Sequence, residues 1–340
     1  MRVLVVKLTS MGDALHVLPA LTDLQAHNPK VVVDWMIEDT FAEIPSWHDS
    51  VDRVIQVSTR RWRKFSRANI AEFLSFWKLL RRERYDVVID AQGLIKSAVF
   101  ARFAKLHKGG QRAGFSGASI KESPAAKLYK VKIDVARDQH AVDRLRRLFA
   151  GVFKYSANAS APNFDLDFAT ADGVEPGAIL LFHGTTWPTK HLPDQVWRDL
   201  VELANSSGYP VKVAWGSELE KKRAHWVVDG KNNAEVLAKS TLGDLAQELN
   251  RASGAIAVDT GLGHLAGALG VPCVSVYGST DAGLTGTVGV NQLHMQSTYA
   301  CSPCLMKNCP KLTDKISTPP CYNELSAQVL WQTLMQKLDR

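Results

Sequence analysis

Short runs of aliphatic and β-branched residues, apolar from end to end, recur along this chain and alternate with stretches of helical period. Val3–Val6, Val31–Ile37, Val54–Val57 and Val87–Asp90 are such runs in the first half. A strand exposed on one face alternates apolar and polar residues; one buried on both faces does not. Between these runs the apolar spacing changes to three and four over Ala14–Ala26, Ile70–Arg84 and Leu94–Leu106, and "QHAVDRLRRLFAGVF" closes the half. Strand, helix, strand in that order requires a parallel sheet with crossover helices. The alternation then restarts, with "AILLF", "VKVAW", "EVL", "AIAVD" and "CVSVY" as strands and helices between. The fold class expected is α/β: two doubly wound, Rossmann-like domains whose strand ends face a cleft, where ligands of such sheets bind.

The stretch "KYSANASAPNFDLDFATADGVEPG" breaks the alternation, being rich in Ala, Ser, Asn, Pro and Gly. It is read as a linker over residues 156–176, holding one short strand at most. The domains expected are then residues 1–155 and 177–320. An amphipathic helix within 321–340, "NELSAQVLWQTLMQKLDR", is expected to pack back on the first domain.

Charge narrows the partners. With 41 Lys and Arg against 34 Asp and Glu, the net charge is +7. That favours nucleic acid, acidic lipid or a phosphorylated substrate without choosing among them. No nucleic-acid-binding fingerprint accompanies it, so no nucleic-acid partner is expected. No stretch nears the ~20 apolar residues of a membrane span. "MRVLVVKLTSMGD" reads as a first strand and not a signal peptide, so a cytoplasmic location is expected.

Polar residues crowd the strand ends. After the first strand comes "KLTSMGD", where Thr9, Ser10 and Gly12 form a turn and Asp13 opens a helix. Asp13 is either a first-turn acid that favours the helix dipole or a general base that accepts a proton from an alcohol. In "LFHGTTWPTKHLP", Thr185, Thr186 and Lys190 follow a strand: either a polar loop with a solvated lysine, or a phosphate seat. In "VDTGLGHLAGALG" the chain leaves a strand through Asp259 and Thr260. If Thr260 caps the next helix, the N–H groups of Gly261, Leu262 and Gly263 are free to meet an anion, with His264 a turn further on. His264 is equally a locally bonded helix residue. "STRRWRKFSR" gathers Arg60, Arg61, Arg63 and Lys64 about Trp62: a solvated helix start, or a grip for an anionic acceptor.

Four of five cysteines, Cys301, Cys304, Cys309 and Cys321, cluster late in the chain. The C-x₂-C pair suggests a structural zinc, while the longer gaps that follow fit no standard second knuckle. A loop of free thiols, or a disulfide formed after purification, reads the same residues without metal.

Together these segments resemble the bacterial lipopolysaccharide heptosyltransferases of glycosyltransferase family 9, over nearly the whole length. The specific pieces are "KLTSMGDALHVLPALTDL", "VDWMIEDTFAEIPSWH", "VIQVSTRRWRK", "DVVIDAQGLIKSA", "QHAVDR", "HGTTWPTKHLP" and "VDTGLGHLAGALGVPCVSVYGSTD". "EIPSWH" with "RRWRK" narrows the likeness to the heptosyltransferase I branch. The resemblance implies the GT-B fold and inverting, metal-independent transfer of heptose from ADP-L-glycero-β-D-manno-heptose, with no cofactor. It implies as acceptor the 5-hydroxyl of Kdo on lipid A, carrying two Kdo units or one phosphorylated Kdo. It also implies peripheral contact with the cytoplasmic face of an anionic inner membrane. Asp13 falls on the catalytic base, and Thr185, Thr186, Lys190, Asp259, Thr260, Gly261 and His264 on the donor site. Ser10, Arg60, Arg61, Arg63, Lys64 and Lys121 fall on the acceptor site. Two departures stand out: Lys121 replaces an arginine of the family, and the Cys-rich segment is unlike the usual heptosyltransferase I ending. A heptosyltransferase acting on a later core heptose, or an idle sugar-nucleotide- or polyanion-binding protein, are the alternatives on the same fold.

Overall fold

The structure is a computed structural model that describes residues 1–64, 66–157, 160–168, 177–313 and 318–338. The chain divides into two compact units, Met1–Asp167 and Phe168–Arg340. The division falls inside the expected linker, of which residues 158–159 and 169–176 lie outside the described residues.

Among the described residues the first unit holds six parallel strands: β1 (Arg2–Val6), β2 (Val32–Glu38), β3 (Val51–Val57), β4 (Arg84–Asp90), β5 (Lys105–Phe115) and β6 (Val131–Ile133). Their order is β3-β2-β1-β4-β5-β6. Its helices are α1 (Met11–Leu15), α2 (Leu18–His27), α3 (Arg67–Leu80), α4 (Ile95–Phe103) and α5 (Ala141–Phe153). The second unit repeats the plan with β7 (Ile179–Phe182), β8 (Val211–Val213), β9 (Ala234–Val236), β10 (Gly254–Val258), β11 (Cys273–Tyr277) and β12 (Gln292–Gln296). Their order, β12-β11-β10-β7-β8-β9, is again parallel throughout. Its helices are α6 (Asp194–Ser206), α7 (Glu218–Val228), α8 (Leu242–Asn250), α9 (Gly261–Ala268), α10 (Ala282–Thr285) and α11 (Ala327–Leu338).

In each unit the chain builds outward from its first strand, then returns to add a fourth on the other side. The reversal lies between β1 and β4 and between β7 and β10. Successive loops diverge there and leave a crevice beyond the strand ends.

The central strands are the ones whose sequences are apolar throughout: Val3–Val6 and Ala255–Val258 are fully buried. The sequence reading missed β5, β6 and β12. The first six residues of β5, "KLHKGG", lack an apolar run, and the β4–β5 register shifts between Tyr85 and Val87. The remaining two are sheet edges with partly exposed faces. The helix expected over Ala14–Ala26 is two helices, because Pro19 enters at the first turn of α2 and favours a fresh start there.

α11 packs within its own unit. Leu330, Trp331 and Leu334 are buried in the core of the second unit, with Ile256, Val274 and Trp197. The closing helix therefore completes the core of the second unit; residues 339–340 lie outside the described residues.

A buried ion pair ties α2 to α5. Arg146 donates to both carboxylate oxygens of Asp23, from Nε at 2.7 Å and Nη2 at 3.1 Å. Removing one partner strands the other charge in the interior. Asp23→Ala is expected to lower unfolding free energy by about 3–5 kcal/mol, measured by urea denaturation. Asp23→Leu with Arg146→Met, which leaves no orphan charge, should cost less than the single change.

Candidate active site

β1 ends at Val6, and the turn that follows brings Asp13 to the first-unit reversal point. The turn is fixed from both sides. Gln92, just after β4, accepts from the N–H groups of Leu8 and Thr9 through Oε1 at 3.0 and 3.2 Å. Ser10 donates to Asp13 Oδ2 from its backbone N–H at 3.0 Å and from its hydroxyl at 2.9 Å. The other carboxylate oxygen lies 3.0 Å from Nζ of Lys7, whose side chain is buried. Burial opposes the charged form of Asp13, but the Lys7 ammonium, the Ser10 N–H and His16 outweigh it and hold the carboxyl well below the usual carboxylate range. Asp13 is thus both the helix-start acid and an ionised carboxylate with a half-open side chain; the two readings of this residue are compatible.

Asp13 opens on a cavity of about 260 Å³ lined also by Lys7, Gln92, Lys121, Arg137 and Arg144. Four cations around one carboxylate give this cavity a positive lining that favours anions. Arg144 is steered by stacking over Phe115 at 5.0 Å and by donating to the Ser119 carbonyl. Lys121, singled out from sequence, lines this cavity. Lys7, Arg137 and Arg144 were not among the residues singled out from sequence. "QHAVDR" contains Arg144, and a lysine just before a strand-end "TSMGD" was the available signal for Lys7.

A second cavity, of about 250 Å³, adjoins the same turn at Thr9 and includes Arg60, Arg61, Glu38 and Asp39. The basic segment divides in two here. Trp62 turns inward onto Phe73 and Phe76 and anchors it. Arg61 is committed: it forks onto Glu72 at 2.6 and 3.0 Å and reaches Asp39 at 3.0 Å. Hydrogen bonding from Arg61 draws the Glu72 carboxyl down to about 2. Arg60, Arg63 and Lys64 are exposed, and no ion pair holds them among the described residues. Of the four cations singled out from sequence, Arg61 is thus paired within the fold, and the other three face solvent.

In the second unit β7 and β10 end beside each other. Lys190 Nζ lies 2.6 Å from Asp259 Oδ2, and the same oxygen accepts from the Thr280 hydroxyl at 2.6 Å. His264 Nε2 stands 4.0 Å from Oδ1. Thr185 donates to the Asp259 carbonyl at 3.2 Å, which joins the two strand ends, and Thr186 is exposed beside it. The Lys190 ammonium also sits 4.8 Å from the Trp187 ring centre. Its loop is tied down further on: the Thr189 hydroxyl donates to the Met306 carbonyl at 2.8 Å, and Tyr322 donates to the Thr189 carbonyl at 3.0 Å. Thr280 and Tyr322 were missed because each acts through a fold contact with no local signature.

Thr260 is the residue before α9, in extended conformation, but its hydroxyl makes no cap bond. The Gly263 N–H is already bonded to the Thr260 carbonyl at 3.1 Å, so it is not free as expected. Gly261 and Leu262, the first two positions of the helix, have no intrahelical acceptor. Glycine at 263 has a packing reason as well: a Cβ there would press on Ala257 at 3.2 Å and Ser275 at 3.3 Å. The histidine in "HGTT", His183, is buried against Trp197, and burial lowers it to about 4, so it is a neutral core residue.

Comparison with known proteins decides among the readings. Residues 73–313 match the family model "Glycosyltransferase family 9 (heptosyltransferase)". The chain belongs to glycosyltransferase family 9. It is 43% identical to lipopolysaccharide heptosyltransferase 1 of Pseudomonas aeruginosa over 96% of this chain and 95% of that one. It is 44% identical to lipopolysaccharide heptosyltransferase 1 of Escherichia coli K12 over 86% and 92% of the two chains. Among solved structures, E. coli heptosyltransferase WaaC with ADP matches at TM-score 0.86 and 38% identity, over 99% of each chain. The same enzyme with ADP-2-deoxy-2-fluoro heptose matches at TM-score 0.83 and 37% identity, over 99% of this chain and all of that one. The protein is therefore a heptosyltransferase of GT-B fold that transfers heptose in lipopolysaccharide core synthesis.

The heptosyltransferase carries its late cysteines as free thiols. Cys301, Cys304, Cys309 and Cys321 line a shared cavity of about 20 Å³ with Thr189. Among the described residues, however, no three Cys, His, Asp or Glu side chains are placed to hold a metal ion. Cys301 is exposed and Cys321 buried. Residues 314–317 of this segment lie outside the described residues.

The Lys7–Asp13 pair gives a pH prediction. Lys7 lowers the Asp13 pKa, so Asp13 is ionised across the neutral range and is neutralised only well below the pH at which a free carboxylate is. Lys7→Met removes the cation, and the Asp13 pKa should rise. The acid limb of the kcat/KM profile should move to higher pH in this variant. An unmoved limb, with kcat merely scaled, would show that Lys7 does not set the carboxylate's charge.

Proposed function

We propose that the enzyme transfers L-glycero-D-manno-heptose from ADP-heptose to the 5-hydroxyl of Kdo on lipid A, with inversion at the anomeric carbon. The observation that carries this reading is Asp13, an ionised carboxylate at the mouth of a cavity lined by Lys7, Lys121, Arg137 and Arg144. A sugar acid such as Kdo brings both things that cavity suits: a carboxylate for the cations and an alcohol for the base. The solved relatives were captured with ADP and with a fluorinated ADP-heptose, which supports the same donor here.

The chemistry is one displacement. Asp13 takes the proton of the acceptor hydroxyl as its oxygen attacks the anomeric carbon, and the bond to ADP breaks through an oxocarbenium-like state. The departing pyrophosphate gains charge. Lys190, held in place by Asp259 and Thr280, and the opening N–H groups of α9 meet that charge as it develops. Asp259 acts by positioning the lysine. Arg60, Arg63 and Lys64 contact negative groups on the acceptor. The reading also sets the enzyme on the cytoplasmic face of the inner membrane, in peripheral contact with anionic lipid. No helix among the described residues is long and apolar enough to cross a membrane.

Asp13→Asn keeps the shape and the Ser10 contacts but cannot accept the proton. Its kcat should fall ~10²–10⁴-fold with an unchanged melting temperature, measured as ADP release from ADP-heptose with lipid A bearing two Kdo units. A near-normal kcat would remove Asp13 from the mechanism. The same assay with lipid A bearing one phosphorylated Kdo separates the two acceptors.

Arg60→Ala with Arg63→Ala should raise the acceptor KM and blunt its dependence on salt, because screening weakens exposed charge pairs. The donor KM should stay as it was. Equal losses for donor and acceptor would refute an acceptor role.

A further inference from the structure

α3 and α4 carry more apolar surface than their packing uses. On α3, Phe76 and Leu80 enter the core, while Ile70 and Leu74 remain 52% and 53% exposed. On α4, Ser97, Ala98 and Ala101 are buried, whereas Ile95, Val99 and Phe103 stay outside at a spacing of four. The two stripes form one surface. The Trp77 ring of α3 lies 4.8 Å from the Phe103 ring of α4, and Arg81 donates to the Phe103 carbonyl at 3.0 Å. Scattered apolar residues need no explanation, but a continuous face across two helices does.

The rim of this face is cationic. Arg67, Lys78 and Arg81 lie on or at the end of α3 and Arg102 on α4, while Arg82 stands 3.7 Å from Glu83 and Lys96 3.6 Å from Glu38. The acidic residue within α3, Glu72, is bound to Arg61, and α4 has none. An apolar centre with a basic margin matches an anionic lipid surface, where the apolar side chains enter the headgroup boundary and Lys and Arg meet phosphates. A second copy of the chain fits worse, since its margin would bring like charges together.

The face also begins where it would be useful. Gln92 and Leu94 line the cavity of Asp13, and Ile95 is the next residue. We propose that the α3–α4 face of the first unit is the docking surface for an anionic bilayer and holds the enzyme beside a lipid-anchored acceptor. The proposal deepens the membrane contact given under the proposed function by naming its surface.

The test is sedimentation of the full chain with vesicles of phosphatidylcholine alone or mixed with phosphatidylglycerol, without acceptor. The chain should bind the mixed vesicles and release them at about 0.5 M salt. Ile70→Ser with Leu74→Ser and Val99→Ser should weaken binding by about tenfold or more. Lys78→Ser with Arg102→Ser should do the same. Both variants should keep the wild-type melting temperature and wild-type kcat/KM on a water-soluble, deacylated acceptor. Wild-type vesicle binding by either variant would overturn the proposal, as would equal binding to neutral vesicles. Failure to bind vesicles, with a concentration-dependent dimer that the apolar variant loses, would assign the face to self-association and overturn it too. Vesicle binding needs no sugar, so a failure of the Kdo assignment would appear only in the acceptor assay.

Discussion

All strands within each sheet run parallel, so every strand of that sheet delivers its carboxyl end to the same edge. A parallel sheet needs a crossover after each strand, and the crossovers cover both faces. The edge at the carboxyl ends is what they leave uncovered. Where the strand order reverses, adjacent loops part, and side chains placed there have room for a ligand. Asp13 and Gln92 meet at the reversal of the first unit; Thr185 and Asp259 meet at that of the second. The site residues are polar because of where the topology puts them, and the cores behind them are apolar for the same reason.

Each reversal point holds a lysine–aspartate pair, and the two pairs differ in which member is available. Asp13 keeps a half-open side chain beside a buried Lys7, so the carboxylate is the group presented. Asp259 is buried and shared by Lys190 and Thr280. There the carboxylate serves to place the ammonium. The same ion pair thus presents a carboxylate in one unit and an anchored ammonium in the other, and burial decides which.

Much of this was legible in the chain. Strands apolar throughout, such as "AIAV" and "RVLVV", can be buried on both faces and little else, so the central strands and the two-unit plan followed from pattern. Strand ends announced the polar loops, and with them Asp13, Lys190 and Asp259. β5 was illegible because its opening stretch has no apolar run and its pairing depends on an irregular register with β4. Arg144 and Thr280 escaped for a different reason: both lie in segments singled out from sequence, "QHAVDR" and "YGSTD", but only tertiary packing reveals which side chain of each segment reaches the site. Arg61 was read with its neighbours as one basic patch. Only the fold reveals that Glu72, eleven residues later, takes that guanidinium out of use.

The loop of Lys190 is fastened by Met306 and Tyr322, and the core behind it is closed by α11. These contacts impose an order on synthesis. The first unit has its whole sheet and the Asp13 turn once about half the chain exists, and domains generally fold as units as they emerge. The second unit cannot do so. Its Lys190 loop waits for residues from the far end of the chain, which arrive last. Limited proteolysis of chains stalled before Tyr322 would read this directly, with a resistant first unit and a still-open second. A nascent chain of this enzyme therefore carries a finished Asp13 turn long before the Lys190 loop has the tyrosine and the helix that fasten it.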